Sequence, residues 1–254
     1  MKRLKNFING KFVDSTSDEV LDIVYPVTGE VIAQAPISTD DDVNTAMHAA
    51  QDAFKTWKHT TPSDRQLLLL KLADALEENV DVLVESQHRN TGQPRELIRD
   101  EEVLVGANQL RFFAGAARTL EGKAATEYME GHTSYVRREP IGVVAQVTPW
   151  NYPLMMALWK LGPALAAGNT VVLKPSDTTP ESTLELARLI GEIYPAGVVN
   201  VVLGTGETGE AMVGHPAPAM VSITGSVRAG QAVATGAAAG LKRSHLELGG
   251  KAPA

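Results

Sequence analysis

Two polar residues, Asn151 and Glu247, stand where their side chains suit oxyanion binding and acid–base chemistry. Asn151 lies in a Trp-Asn-Tyr-Pro turn before a predicted helix, where an asparagine amide either caps the helix or donates a hydrogen bond to an oxyanion. On the residues alone, capping is the better-supported alternative. Glu247 follows a short apolar run and precedes Gly249 and Gly250. The glycines allow close approach of backbone or ligand, which favours a general base over an exposed strand-end carboxylate.

Glycines, small hydroxyl residues, a lysine and a carboxylate collect directly after the predicted strands. This composition suits a phosphate-containing ligand held against backbone amides. Gly225, Ser226 and Gly230 form a G-S-x-x-x-G turn at a predicted helix start, although a lone glycine turn is more often only a cap. Lys174 would ordinarily be a surface lysine. The segments are Thr148-Pro149-Trp150-Asn151, Lys174-Pro175-Ser176-Asp177, Gly204-Thr205-Gly206, Gly225-Ser226 and Glu247-Leu248-Gly249-Gly250-Lys251.

Alternating strands and helices in the second half must position these residues. Five apolar, β-branched runs lie at 143–147, 170–173, 198–203, 220–224 and 245–248, and helical segments lie at 154–167, 180–193, 207–214 and 227–239. This alternation predicts an α/β fold with a doubly wound, mostly parallel, Rossmann-like sheet. Ligands of such sheets bind at the carboxyl ends of the strands, so the strand ends should line one groove shaped for a dinucleotide.

The first half predicts helices and hairpins. Apolar residues at helical spacing indicate a helix over 42–57, and Thr61 and Pro62 mark the start of a second helix that ends at Thr91-Gly92. A third helix is predicted over 96–120. Residues 7–8 and 12–13 predict short strands around Asn9-Gly10, and 124–139 predicts a protruding β-hairpin around Glu130-Gly131.

Composition excludes several classes of protein. The chain has 254 residues, 44% of them apolar, and a net charge of -7 without a cluster of Lys and Arg, which argues against nucleic-acid binding. Polar residues, prolines and glycines interrupt the apolar region 141–173, so no membrane span is predicted. The N-terminus has no signal-peptide core, and a cytoplasmic location is expected. The absence of cysteine excludes disulfides, thiolate metal sites and cysteine nucleophiles, and no metal site is predicted.

Four motifs together resemble the aldehyde dehydrogenase superfamily. They are TPWNYP at 148–153, KLGPALAAGNTVVLKPS at 160–176, ITGS at 223–226 and ELGGK at 247–251. Each motif alone is weak, but their order and their places on predicted strand ends make the set specific. The resemblance covers essentially the whole chain and is closest to bacterial γ-aminobutyraldehyde dehydrogenases, mainly through EYMEGHTSYVRREPIGVV at 127–144.

The resemblance implies three catalytic residues. In the family, the asparagine that matches Asn151 donates to the oxyanion formed when a thiolate attacks the aldehyde. The glutamate that matches Glu247 is the general base for hydrolysis of the thioacyl intermediate. Lys160, otherwise expected to be solvated, becomes a candidate for proton relay.

The resemblance also implies an NAD site. The matching lysine and acidic residue, Lys174 and Asp177, bind the adenosine ribose hydroxyls with Ser176 between them, and the segment of Gly225 and Ser226 binds the pyrophosphate. Asp177 stands where glutamate is usual, but a carboxylate there still disfavours a 2'-phosphate, so NAD is preferred to NADP. Ile223 replaces the usual phenylalanine. The remaining cofactor-site candidates are Thr148, Pro149, Trp150, Leu248 and, in a loop equally explained as a surface turn, Gly204 and Gly209.

The domain organisation follows from the same likeness. Residues 1–122 and 141–254 would form a discontinuous NAD-binding domain, and 123–140 a hairpin of the oligomerisation region of a homo-oligomer. The family's cysteine segment lies downstream of the glutamate motif, so the catalytic domain is expected to be absent, and the end at 251–254 suggests truncation.

The substrate class implied for the full-length enzyme is an ω-amino aldehyde such as 4-aminobutanal. The chain itself is predicted to lack this activity because it has no cysteine nucleophile. Two other functions stay open: a non-catalytic dinucleotide-binding or regulatory module, and a fragment that complements a full-length subunit.

Overall fold

The computed structural model describes residues 1–251, and the expectation about the chain end therefore lies partly outside the described residues. The strands are β1 (Lys2–Arg3), β2 (Asn6–Ile8), β3 (Lys11–Val13), β4 (Val20–Tyr25), β5 (Glu30–Pro36), β6 (Lys123–Met129), β7 (His132–Val136), β8 (Val143–Val147), β9 (Thr170–Lys174), β10 (Val199–Val201), β11 (Pro218–Gly225) and β12 (Arg243–Leu248). The helices are α1 (Asp40–Trp57), α2 (Pro62–Glu78), α3 (Val80–Thr91), α4 (Arg95–Leu97), α5 (Val105–Arg118), α6 (Pro153–Ala166), α7 (Glu181–Ile193), α8 (Gly206–Gly214) and α9 (Val227–Ala239). A π-helical segment, Ile98–Leu104, joins α4 to α5.

A seven-stranded sheet forms the centre of the molecule. Its order is β12-β11-β8-β9-β10-β2-β3; the five strands from β8 to β12 are parallel, and the β2–β3 hairpin pairs antiparallel at one end. The α/β, Rossmann-like fold is thus confirmed. Because the chain proceeds outward from β8 to β10 and then returns to β11 on the other side of β8, the strand order reverses between β8 and β11, where such sheets bind ligands.

Two helical layers cover the two faces of this sheet. The core between the sheet and α2, α5, α6 and α7 contains Val171 and Leu173 of β9, whereas Val172 packs into the core on the side of α1, α8 and α9. Alternate residues of a strand point to opposite faces, so β9 is apolar on both. The Leu residues of α6, including Leu154 and Leu158, are fully buried and anchor the helix that carries Lys160.

Capping determines where the first two long helices begin. Thr39 and Thr61 accept hydrogen bonds from the amides of Asp42 and Asp64, whose carboxylates accept in return from the threonine amides. These capping boxes satisfy amides that the helices leave free. The prediction of one helix from Thr61 to Thr91 is wrong in one respect, because Asn79 separates α2 from α3 with non-helical backbone. The third predicted helix is present, but its first part is the π-helical segment.

The smaller sheets lie outside the central one. Strands β4 and β5 pair antiparallel and β1 adds parallel to β5, a sheet that the sequence pattern did not predict. The predicted arm is a hairpin of β6 and β7, whose residues are all exposed. The division into an NAD-binding domain and an oligomerisation hairpin stays a prediction. Within residues 1–251, the helices are too short or too polar to cross a lipid bilayer.

Candidate functional site

The loop after β8 places Asn151 at the carboxyl edge of the sheet. Thr148 at its start is buried, its amide donates to the carbonyl of Lys174 at 3.1 Å, and its hydroxyl has no hydrogen-bond partner among the described residues. Trp150 is 66% exposed. Tyr152, and not Asn151, occupies the N-cap of α6. The residues alone had favoured a capping role for Asn151, but its side chain does not cap the helix, and Asn151 is exposed.

A series of hydrogen-bonded polar side chains, of which Gln87 and Glu102 are buried, holds the Asn151 backbone. Gln93 Nε2 donates to the Asn151 carbonyl at 2.9 Å, and Gln87 Nε2 donates both to Gln93 Oε1 and to Glu102 Oε1. The other oxygen of Glu102 accepts from the amide of Met155 in the first turn of α6 at 3.1 Å. Burial raises the pKa of Glu102. Sequence reasoning missed this support, because its residues lie on α3 and the π-helical segment, far along the chain.

Lys160 and Glu247 lie on the face of the sheet that α6 covers. Lys160 is buried, and its ammonium donates to Ser222 Oγ at 2.8 Å. Burial lowers the pKa of Lys160 to about 8, and the nearby Glu247 carboxylate partly opposes that shift. Glu247 is exposed near the end of β12, with Oε1 3.4 Å from His245 Nε2. Lys160 is therefore not solvated as a helical lysine ordinarily is, and the two candidate acid–base residues share one face.

Lys174 lies on the opposite face, in the wall of an open groove between α8 and α9. The groove has a volume of about 1080 Å³, in the range of small-molecule sites. Lys174 is 5% exposed, and its ammonium donates to the carbonyls of Pro175 at 2.9 Å and Gly204 at 2.7 Å. Burial lowers the pKa of Lys174 to about 8, whereas Asp177 raises it. This lysine is built into the groove rather than solvated.

The neighbours of Lys174 follow the sequence expectations in part. Ser176 Oγ donates to Asp177 Oδ1 at 3.2 Å, and both residues are partly exposed. Gly209 lines the groove, and a Cβ added there would lie 3.4 Å from Lys174 Cε. Gly204 has a φ of +148° and a Cβ there would meet Thr208 Oγ1 at 2.2 Å, so glycine is required at this turn. Gly204 and Gly209 are thus structural neighbours of Lys174 and not a free surface loop.

The β11–α9 turn places further candidates beside the groove. Ser226 is the N-cap of α9, and its hydroxyl accepts from the amide of Ala229 at 3.2 Å. A Cβ added at Gly225 would be in ordinary van der Waals contact with Ile223 at 3.6 Å, whereas Leu248 packs so closely on Gly230 that an added Cβ would lie 2.4 Å from Leu248 Cδ2. The start of α9 carries no acidic residue, which leaves the positive end of the helix dipole available to an anion.

The structure therefore divides the predicted site between two faces. Lys174, Gly209 and Ile223 line the groove under α8 and α9, whereas Lys160 and Glu247 lie on the α6 side. The expectation of one groove that contains all of them is wrong, since strand alternation sends them to opposite sides. The two sets meet at the carboxyl edge near β8 and β11, where the strand order reverses.

Three charged residues of the groove escaped the sequence analysis. Glu210, Arg228 and Lys242 line it, together with the small residues of α9 such as Ala232 and Gly236. The alanine- and glycine-rich composition of α9 was the available signal, because small side chains leave a groove open. A second cavity of about 410 Å³ lies beside Trp150 and Asn151 and extends toward Pro26 and Thr178.

Comparisons with known proteins agree with this geometry. The family model described as the aldehyde dehydrogenase family matches residues 12–254. The acetaldehyde dehydrogenase of Pseudomonas aeruginosa is 41% identical over 252 residues, which are 99% of this chain and 50% of that protein. The chain spans about half the length of the curated relatives it matches.

Solved structures give the same result. The NAD+ complex of an aldehyde dehydrogenase from Bacillus cereus superposes with a TM-score of 0.95 at 37% identity, over 99% of this chain and 52% of that one. PnpE from Pseudomonas sp. WBC-3 superposes with a TM-score of 0.94 at 42% identity, over 98% and 51% of the two chains. These likenesses extend over the sheet, both helical layers and the arm.

Proposed function

The chain belongs to the aldehyde dehydrogenase family, and from this premise we propose that it is the cofactor-binding half of an enzyme that oxidises an aldehyde to the carboxylic acid with NAD. One observation carries the proposal. The groove that contains Lys174 in its wall adjoins the carboxyl edge of the sheet, where the strand order reverses. The acid–base pair, Lys160 and Glu247, adjoins the same edge. A ligand lying across this edge would reach from one face to the other.

The residues of the groove and of the strand ends beside it fit a dinucleotide. The Thr148 hydroxyl is buried without a partner among the described residues, which is a polar group that a ligand can satisfy. The amides at the start of α9, next to Gly225 and Ser226, suit a pyrophosphate, and Lys174 with Asp177 suits ribose hydroxyls. NAD, when bound, accepts the hydride that leaves the aldehyde carbon. The NAD+ complex of the similar Bacillus cereus enzyme supports this choice of cofactor.

The residues of this chain would act on the substrate in two ways. The exposed amide of Asn151 donates to the oxygen of the attacked aldehyde, a contribution of about 10²–10³ in rate for a well-placed donor. Glu247 takes a proton from water for hydrolysis of the acyl intermediate, with an effect of about 10²–10⁴. Glu247 is solvent-exposed in the described chain and has access to water.

The family reaction uses a cysteine nucleophile, and these 254 residues contain no cysteine. We therefore propose that the chain alone binds NAD and produces no NADH from an aldehyde. Such a chain would behave as a non-catalytic dinucleotide-binding module until a cysteine-bearing partner or continuation completes it. NADH formation above background from 4-aminobutanal and the purified chain would contradict this statement.

We propose NAD rather than NADP as the cofactor. The carboxylate of Asp177, three residues after Lys174, and that of Glu210, which lines the groove, would repel a 2'-phosphate. Asp177→Ser should improve NADP binding relative to NAD. The matched control is Glu207→Ser, because Glu207 is an exposed acidic residue in the first turn of α8 that does not line the groove.

The proposed substrate class is an ω-amino aldehyde. The support is the likeness of residues 127–144 to γ-aminobutyraldehyde dehydrogenases, and most of this stretch lies on the exposed arm, away from Glu247. A relative at 41% identity is named an acetaldehyde dehydrogenase, so acetaldehyde is the competing substrate. The ratio of kcat/KM for 4-aminobutanal and acetaldehyde, measured on the cysteine-bearing enzyme, decides between them.

Calorimetric titration with NAD tests the central part of the proposal. Wild type should bind, and Lys174→Met should weaken binding by about 10- to 100-fold, the range for loss of a charged hydrogen-bond donor. Lys71→Met, at an exposed lysine of α2, should leave binding unchanged. Equal binding by wild type and Lys174→Met, with unchanged melting temperatures, would refute the assignment of the groove.

A further inference from the structure

A continuous line of polar side chains connects the two acid–base residues through Ser222 and His245. Lys160 Nζ is 2.8 Å from Ser222 Oγ, Ser222 Oγ is 3.0 Å from His245 Nδ1, and His245 Nε2 is 3.4 Å from Glu247 Oε1. Ser222 and His245 are direct partners in the pairing of β11 with β12. The pairing of β11 with β12 therefore sets the Ser222–His245 contact, while His245 and Glu247 are exposed side chains at an ion-pair distance.

Strand alternation explains why these groups share a face. Val221 packs into the core of α1, α8 and α9, so Ser222 points to the α6 side. Leu248 packs against Gly230 of α9, so His245 and Glu247 point away from α9. The charged groups that the strand pattern and α6 place around the imidazole are Lys160, Glu247 and Arg243, which is two residues before His245 on the same strand.

We propose that Ser222 and His245 relay a proton between Glu247 and Lys160 during the general-base step. The inference rests on the proposed function, since Glu247 must first take a proton from water. Neither Ser222 nor His245 contacts the reacting atoms; both act through Glu247 and are positioning residues.

The transfer balances when every group passes one proton. It starts with protonated Glu247, the Nδ1–H form of neutral His245 and neutral Lys160. Glu247 O–H breaks as His245 Nε2–H forms, and Nδ1–H breaks as a new Ser222 O–H forms. The original Ser222 O–H breaks as Lys160 N–H forms. The products are a carboxylate, the Nε2–H imidazole and an ammonium, and no oxidation occurs.

Lys160 is suited to receive this proton. Its ammonium is buried with Ser222 as its hydrogen-bond acceptor, and burial lowers its pKa to about 8. A substantial fraction is therefore neutral near that pH. An ordinary surface lysine would remain charged and could not accept. Lys160 then holds the proton while Glu247 is restored as a base.

The relay predicts a tautomer change of His245 that follows Lys160. Charged Lys160 donates to Ser222, whose hydroxyl then donates to Nδ1 and leaves hydrogen on Nε2. Neutral Lys160 can accept from Ser222, which then accepts from Nδ1–H; the Glu247 carboxylate near Nε2 opposes this tautomer, so we expect a partial shift toward Nδ1–H. Imidazole ¹⁵N shifts of the histidine-labelled chain should show this exchange with a midpoint near the pKa of about 8 of Lys160.

Two variants separate the relay from mere packing. The change near that pH should vanish in Lys160→Met and in Ser222→Ala, while the remaining histidines serve as internal references and His245→Asn assigns the resonance. Absence of the change in wild type, or its persistence in Ser222→Ala, would overturn the relay. Retained melting temperatures show that the variants fold. NAD titration of the same samples reports the proposed function separately, because failure to bind NAD leaves the tautomer result intact.

Discussion

Replacement of Glu102 should destabilise the loop that carries Asn151. Glu102→Ala removes the acceptors of the Met155 amide and of the Gln87 amide, both buried. Loss of a hydrogen bond to a charged group costs about 1.5–3 kcal/mol, so the free energy of unfolding should fall by about 3–5 kcal/mol. Without Glu102, the hydrogen bond from Gln87 to Gln93 should also weaken, and Gln93 is the residue that donates to the Asn151 carbonyl.

Glu102→Gln is the informative milder variant. The amide keeps an acceptor for Met155, and Gln87 can turn its oxygen, which has no partner among the described residues, toward the new amide. We expect a loss of about 1 kcal/mol. Glu101→Gln, an exposed neighbour on the same π-helical segment, is the matched control and should change stability by less than about 0.5 kcal/mol.

The pH dependence of these variants has a definite sign. Burial raises the pKa of Glu102 above 4.5, so the folded chain keeps this proton at pH values where the unfolded chain has released it. Wild-type stability therefore falls through this group as pH rises from 4.5 to the raised folded-state pKa. Glu102→Gln cannot titrate, and its stability deficit relative to wild type should shrink over that window.

Urea unfolding followed by tryptophan fluorescence measures these differences. The chain has three tryptophans, and Trp57 is buried in the core. A deficit of Glu102→Gln that grows with pH, or Glu102→Ala as stable as Glu101→Gln, would refute the reasoning.

The remaining predictions concern the groove turn and the arm. Gly204→Ala should lower the free energy of unfolding by at least about 2 kcal/mol, because the φ of Gly204 and its contact with Thr208 both exclude a Cβ. Gly206→Ala is the control and should leave stability unchanged, because an added Cβ there has nothing within 4 Å. Equal losses for the two variants in thermal or urea unfolding would contradict this prediction. The exposed tyrosines of the arm, Tyr128 and Tyr135, should promote self-association. Sedimentation velocity should show less oligomer for Tyr128→Ser/Tyr135→Ser at an unchanged melting temperature, and a monomeric wild type would remove the basis for this expectation.

Local signals were sufficient to predict much of the fold. The Asn9-Gly10 turn has positive φ at both residues, as a tight hairpin requires. Thr61 and Pro62 indicated the start of α2, whereas α1 begins at Asp40, two residues before the predicted start. The parallel strands were predicted because β-branched runs alternate with helical segments. Each of these features depends on residues within a few positions of one another.

Features that depend on distant contacts were not predicted. Apolar spacing continues across Asn79, so the break between α2 and α3 left no clear signal. The β4–β5 hairpin turns at Gly29, which has positive φ, but its strands have weak alternation and exposed residues. The π-helical segment has no recognisable sequence signature, because one additional residue per turn is tolerated wherever tertiary contacts such as those of Glu102 compensate.

The candidate site shows the same division. Strand-end positions identified Lys174 and Glu247. That the two side chains lie on opposite faces of the sheet becomes clear only from the helices that pack on each face. His245 was predicted only as the first residue of the apolar run 245–248, and its link to Lys160 appears only when β12 pairs with β11. Resemblance gave the roles, and tertiary structure gave the partners.

Hydrogen–deuterium exchange of the chain with and without NAD locates the dinucleotide site. We expect slower exchange of backbone amides at residues 204–214 and 225–233, which border the groove, and no change in the arm at 123–136. Protection confined to the cavity beside Trp150 and Thr178, or protection nowhere despite saturating NAD, would contradict the assignment of the groove as the dinucleotide site.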